Sequence, residues 1–139
     1  MISGIEPTQE VRDTFAKLNK SKIKAFTVKI DKIEGKDQML VDKVFEKEGF
    51  TFEAFAEAFP ELESRIGVIE VEIPREDSRT EYKIVDILWS PINAPALKKM
   101  KYSTSISGFR GEFTQIHKSL QLDSKADLAE EPFMKRVKA

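Results

Sequence analysis

Two stretches of this chain, Ile66–Ile73 and Tyr82–Trp89, are apolar at odd and even positions alike, and that limits the folds open to it. Successive side chains of a strand point to opposite faces. A strand apolar on both must therefore be covered on both. Val68, Ile69, Val71 and Ile73 in the first stretch, and Ile84, Val85, Ile87 and Leu88 in the second, predict central strands with helices packed on each side. The polar segment Pro74–Thr80 links them.

The remaining elements can be placed around that pair. Thr8 is a candidate cap for a helix running to about Lys20, with Val11, Phe15 and Leu18 at helical spacing. The stretch Ile23–Ile30 alternates, Gly35 marks a turn, and a partner strand is expected at Gln38–Phe45, giving a hairpin. Gly49 closes that unit, and Thr51 caps a helix carrying Phe52, Phe55 and Phe59 into the core, ended by Pro60. After the turn at Ser90-Pro91, Ile106, Phe109, Phe113 and Ile116 predict a helix from about Ser103 to Ile116. A short strand at His117–Leu122 and a capped helix from Ser124 follow, with Pro132 breaking, kinking or restarting that helix. The expected fold is α/β: one domain over residues 1–139, with a mixed central sheet of about five strands flanked by helices on both faces.

Catalytic chemistry finds little to work with. The chain has no cysteine and one histidine, His117, which excludes disulfides, thiolate nucleophiles and zinc sites built on several imidazoles. His117 itself reads as structural or exposed. No glycine-rich phosphate loop is present, and no spacing brings two carboxylates into a defined pair. No enzyme activity, cofactor or metal is expected. The glycosylation pattern at Asn19-Lys20-Ser21 is read as accidental. The opening MISGIEPTQE lacks a signal-peptide pattern, and no apolar run approaches the roughly 20 residues of a membrane span. A cytosolic monomer is the expectation.

Charge is distributed unevenly over a chain whose net charge is only −1. Asp42 to Glu81 contains twelve acidic and five basic residues, whereas Pro91 to Leu120 contains five basic residues and one acidic residue, Glu112. A local basic surface suits an acidic partner. The segment bearing it has an unusual second face, because Thr104, Ser107, Gly108, Gly111 and Gln115 form a flat strip opposite Ile106, Phe109 and Phe113. Each glycine inside a helix costs roughly 1 kcal/mol relative to alanine. Either the helix is irregular, or its surface is kept low so that a partner can approach the backbone, bordered by Lys98, Lys99, Lys101 and Arg110. Nucleic acid is disfavoured as that partner, since the aromatics fall on core faces and no recognition motif is present.

The segment Trp89-Ser90-Pro91-Ile92-Asn93-Ala94-Pro95-Ala96-Leu97-Lys98-Lys99-Met100-Lys101-Tyr102 resembles the W-[SA]-P-x-x-A-P-x-x-x-K-M-x-Y signature of the ADF/cofilin family. Ser3-Gly4-Ile5 is similar to that family's S-G-[IV] opening, and Val11, Phe15 and Leu18 are similar to its first-helix pattern. The order of elements agrees from end to end. The resemblance implies an ADF-homology, gelsolin-like domain that binds actin monomers and filaments, favours ADP-actin, promotes depolymerisation and severing, and needs no cofactor. It also implies phosphoinositides as a further class of ligand.

Carried over residue by residue, the resemblance implies a monomer-binding surface of Ser3, Gly4, Lys99, Met100 and Arg110, with Tyr102 supporting the entry to the long helix. Lys98, Ser107, Gly108 and Gly111 join it from the strip and its border. Phosphorylation at Ser3 is the implied regulatory step. The implied filament surface holds Lys83 and Arg136. Here the family's Arg-x-Lys is Glu81-Tyr82-Lys83, with Arg79 close enough in sequence to compensate. The chain also departs from the family at Leu97, where relatives often carry a basic residue. At Ile106-Ser107 it lacks their Lys-Asp pair, and at Arg110-Gly111 their consecutive basic residues. Filament-side binding is therefore expected to be weaker than monomer binding, with a monomer-sequestering protein, or an adaptor for a partner other than actin, as the alternatives.

Overall fold

In the computed structural model, residues 4–139 are described. The elements run α1 (Gln9–Asn19), β1 (Ala25–Ile33), β2 (Lys36–Phe45), α2 (Phe52–Glu57), β3 (Arg65–Pro74), β4 (Thr80–Trp89), α3 (Ala96–Glu112), β5 (Lys118–Leu122) and α4 (Glu130–Lys138). They build a five-stranded sheet in the order β2-β1-β3-β4-β5. Every neighbouring pair is antiparallel except β4 and β5. A parallel pair needs a crossover, and α3 supplies it. The helix that carries the unusual strip is thereby fixed across one face of the sheet.

The two doubly apolar stretches are the central strands β3 and β4, and each face has its own core. On one side Val11, Phe15 and Leu18 of α1 and Tyr102, Ile106 and Phe109 of α3 pack with Ile66, Val68, Ile84 and Leu88. On the other, Phe52 and Phe55 of α2 and Phe133 and Val137 of α4 pack with Ile69, Val71, Val85, Ile87 and Trp89. Gly67 is required on this second face, because a Cβ there would collide with the ring of buried Phe59.

Several local expectations are met and several are corrected. The β1–β2 turn places Glu34 and Gly35 at φ +53° and +77°, the primed hairpin geometry that matches strand twist. Thr51 caps α2, accepting the Ala54 N–H at 3.2 Å. Thr8 stands at the N-cap of α1, but its hydroxyl donates to the Met39 carbonyl at 2.9 Å instead of capping the helix. The long helix begins at Ala96, seven residues before the expected start at Ser103, and ends at Glu112, with Phe113 as its C-cap and Ile116 beyond it. The last helix begins at Glu130 and not at Ser124; residues 124–128 form turns. Pro132 lies in its first turn, where no backbone N–H is needed, so it restarts the helix without breaking it.

Candidate functional site

The early start of α3 changes what its outer face contains. Leu97, Met100, Thr104, Ser107, Gly108 and Gly111 recur at three- and four-residue steps, and all are exposed. They form one continuous stripe along a 17-residue helix about 25 Å long. Leu97 and Met100 expose 77% and 57% of their surface, so the stripe is apolar at its start and flat at its end. A Cβ added at Gly108 or Gly111 would meet nothing within 4 Å. Neither glycine is demanded by packing or by a positive φ.

The first turns of α3 carry charge of the wrong sign for helix stability. No acidic residue lies there and no side chain caps the N-terminus at Pro95, while Lys98, Lys99 and Lys101 crowd the positive end of the helix dipole. Lys101 is held by Asp37 at 3.1 Å. A cavity of about 480 Å³ lies beside these turns, bordered by Lys98, Lys101, Tyr102 and Arg65. Tyr102 anchors the arrangement. Its ring is buried, and its hydroxyl accepts the Ile30 N–H at 2.9 Å. That N–H lies past Val28, the last β1 residue paired with β3. Burial pushes the Tyr102 phenol above its ordinary pKa.

Arg110 stands apart from the stripe. Its guanidinium makes a bidentate pair with Asp86, at 2.8 to 3.1 Å, and Asp86 is fully buried on β4. Ser119 donates a further hydrogen bond to the same carboxylate. Asp86 shares strand parity with Ile84 and Leu88, so it points to the α3 side. Sequence reasoning missed this residue. The signal available was a lone acidic residue inside the run Ile84–Trp89. At the same end of α3, Arg12 of α1 pairs with Glu112.

The N-terminal candidates are divided by what is described. Ser3, including its expected phosphorylation, lies outside the described residues. Gly4 is exposed with φ +82°, and residues 6–8 are tied to β2 by Met39 N–H to Glu6 and Thr8 N–H to Met39 bonds of 3.1 Å.

Of the filament candidates, Arg79 and Glu81 line a shallow cavity of about 820 Å³ that also reaches Lys138, whereas Lys83 and Arg136 do not line it. Glu81 and Lys83 sit on the same side of β4, 3.3 Å apart. Glu81 is shared with Arg75, whose Nη2 is 2.6 Å away, and that hydrogen bond chiefly lowers its pKa. Arg79 pairs instead with Asp77 at 2.6 Å. Arg75, and not Arg79, is therefore the compensating cation, leaving Arg75, Glu81 and Lys83 with a formal charge of +1. Arg136 is exposed on α4. His117 is structural, since its Nδ1 accepts the Ile84 N–H at 2.9 Å.

Among the described residues no group of three or more histidines, aspartates or glutamates is arranged to hold a metal ion, and no helix is long and apolar enough to cross a membrane.

Comparison with known proteins gives this geometry its context. An actin-depolymerizing factor of Vitis vinifera is 29% identical over 136 residues, covering 97% of this chain and 93% of that one. A cofilin of Cryptococcus neoformans is 26% identical over 138 residues, covering 99% and 98%. The crystal structure of a Plasmodium berghei actin depolymerization factor 2 superposes with a TM-score of 0.84 at 23% identity, covering 99% and 97%. A Streptomyces griseoflavus cofilin also superposes at 0.84, with 22% identity and 96% coverage of both chains. The family model for cofilin/tropomyosin-type actin-binding proteins matches residues 4–138, and the chain belongs to that family, the ADF/cofilin actin-binding proteins.

Proposed function

We propose that this chain, acting as one ADF-homology domain, binds actin monomers and filaments in the cytoplasm and promotes filament turnover. The observation that carries the reading is the α3 stripe. Exposed Leu97 and Met100 lead into a glycine-floored surface that gains nothing for the fold, beside lysines that destabilise the helix start. A protein keeps such costs where a partner is bound. Ser3, Gly4, Lys98 and Lys99 would border the contact, and Arg110 would act indirectly, by fixing α3 to β4. A phosphoinositide headgroup competing with actin would have to meet Lys98 at a cavity that Asp31, Asp37 and Glu63 also line, with Lys101 already paired to Asp37.

Turnover would follow from differential binding. A protein that holds a twisted filament lattice better than a relaxed one shifts the lattice toward the twisted state. Boundaries between the two then break. A second reading, monomer sequestration with little severing, is favoured by Glu81, whose carboxylate neutralises part of the Arg75–Lys83 cluster. Actin co-sedimentation with supernatant and pellet both quantified separates the readings. A severing protein yields short filaments and released monomer, and a sequestering protein yields monomer without breakage. If neither fraction changes, actin is not the partner.

A further inference from the structure

Among the described residues, the four most exposed large hydrophobic side chains are Leu97 at 77%, Ile92 at 70%, Leu62 at 61% and Met100 at 57%. Exposed hydrophobics scattered singly need no explanation. These four converge. Leu97 and Met100 stand on the first turns of α3, whereas Leu62 and Ile92 belong to loops outside the helix. Arg65 and Trp89 are register partners at the end of β3 and β4, and Leu62 lies three residues before the one while Ile92 lies three after the other. Two cavities place the loops further. Glu61 and Ile92 line one of about 200 Å³, and Glu63 and Lys98 line the one of about 480 Å³. The loop bearing Leu62 therefore runs beside the segment from Ile92 to Lys98. Tyr82, next in exposure, sits near the opposite end of β4.

Both loops are held in shape. The Trp89 indole donates to the Pro60 carbonyl at 2.6 Å, and Ser64 and Arg65 are buried at the far end of the same loop. Arg65 in turn donates to the Ser64 carbonyl at 2.8 Å and to Asp42 at 3.1 Å. On the other side, the Ser90 N–H donates to the Leu122 carbonyl at 2.9 Å, and the Ala94 N–H closes a turn on the Pro91 carbonyl at 3.1 Å. Pro91 and Ala94 are buried, and Ile92 is exposed between them. Burying Leu62 and Ile92 against a partner thus costs little loop ordering. Glu61, Glu63 and Lys98, all exposed, give the apolar residues a charged border, as at the rim of a protein interface.

We propose that Leu62 and Ile92 are apolar anchors for the actin monomer bound along α3, carrying the stripe of Leu97 and Met100 off the helix and onto the end of the sheet. The partner surface they fit is apolar and continuous with the one that receives Met100. This rests on the reading that α3 binds monomeric actin. Ile92 occupies an unspecified position of the W-[SA]-P-x-x-A-P signature, so the anchor is a property of this chain and not of the motif.

Titration of fluorescently labelled actin monomers with the parent and with Leu62→Ala/Ile92→Ala tests it. Both side chains are mainly exposed, so thermal unfolding of the double variant should match the parent. The proposal predicts a Kd raised at least about tenfold, by the same factor at low and high salt because the lost contact is apolar. Leu62→Met/Ile92→Leu keeps the apolar bulk and should bind like the parent. A rise below about tenfold, or one that salt abolishes, overturns the proposal. Met100→Ala separates the loops from the helix. Weakened binding there, with the loop double variant unaffected, removes the loops and keeps α3, whereas a parent that binds no actin removes both. Self-association of the parent that the double variant abolishes would make a second copy the occupant, and would also overturn the proposal.

Discussion

Replacing both strip glycines, Gly108→Ala/Gly111→Ala, should make the protein more stable and less able to bind actin. Both sit inside α3 at non-positive φ, and the added Cβ atoms meet nothing within 4 Å, so only helix propensity acts on the fold. Glycine is less favourable than alanine by about 0.8–1.0 kcal/mol in a helix interior, giving about 1.5–2 kcal/mol for the pair. An unfolding entropy of about 2.1 cal/mol/K per residue implies about 0.3 kcal/mol/K for this chain, and hence a melting temperature raised by about 5–7 °C. The same methyl groups lift a partner off the helix backbone, and a loss of about tenfold in affinity for monomeric actin is expected, equivalent to about 1.4 kcal/mol. Gly111→Leu should lose more. Thermal unfolding by circular dichroism and titration of fluorescently labelled actin monomers measure the two effects. A lowered melting temperature would show that the strip packs internally. A raised one with unchanged affinity would show that the strip faces only solvent.

Other consequences can be measured separately. Arg110→Ala strands the fully buried Asp86 carboxylate with Ser119 alone, and should cost about 3 kcal/mol in urea unfolding, the low end for a broken buried pair because the guanidinium is one-third exposed; a change below about 0.5 kcal/mol would contradict this. Glu81→Arg removes the carboxylate shared by Arg75 and Lys83, and should increase filament breakage counted by microscopy at low salt, with the gain shrinking as salt rises; equal rates at both salt concentrations would refute it. Ser3→Glu adds negative charge at a residue the proposal assigns to monomer contact, and should weaken monomer binding in the same titration; unchanged affinity would remove the N-terminus from the interface.

The central sheet was legible because β3 and β4 are apolar at both parities, and only burial on two faces accounts for that. The start of α3 was hidden for the reason that makes it interesting. Leu97 and Met100 are exposed, and the buried series begins only at Tyr102, so apolar periodicity could not register the first turns. The strip at Gly108 and Gly111 was readable, but its continuity with Met100 required the helix to start at Ala96. Long-range partners were out of reach. Met39 captures the Thr8 hydroxyl from 31 residues away, and Arg110 finds Asp86 across 24. The choice of Arg75 over Arg79 as partner of Glu81 depends on the path of the β3–β4 loop, which no local pattern encodes.

Amide hydrogen exchange of this protein with and without saturating monomeric actin tests the central claim most directly, because it reports where the partner sits residue by residue. Slowed exchange is predicted along α3, greatest from Met100 to Gly111, with α2 unchanged. Protection confined to α2 and α4, or none at any actin concentration, would contradict the account.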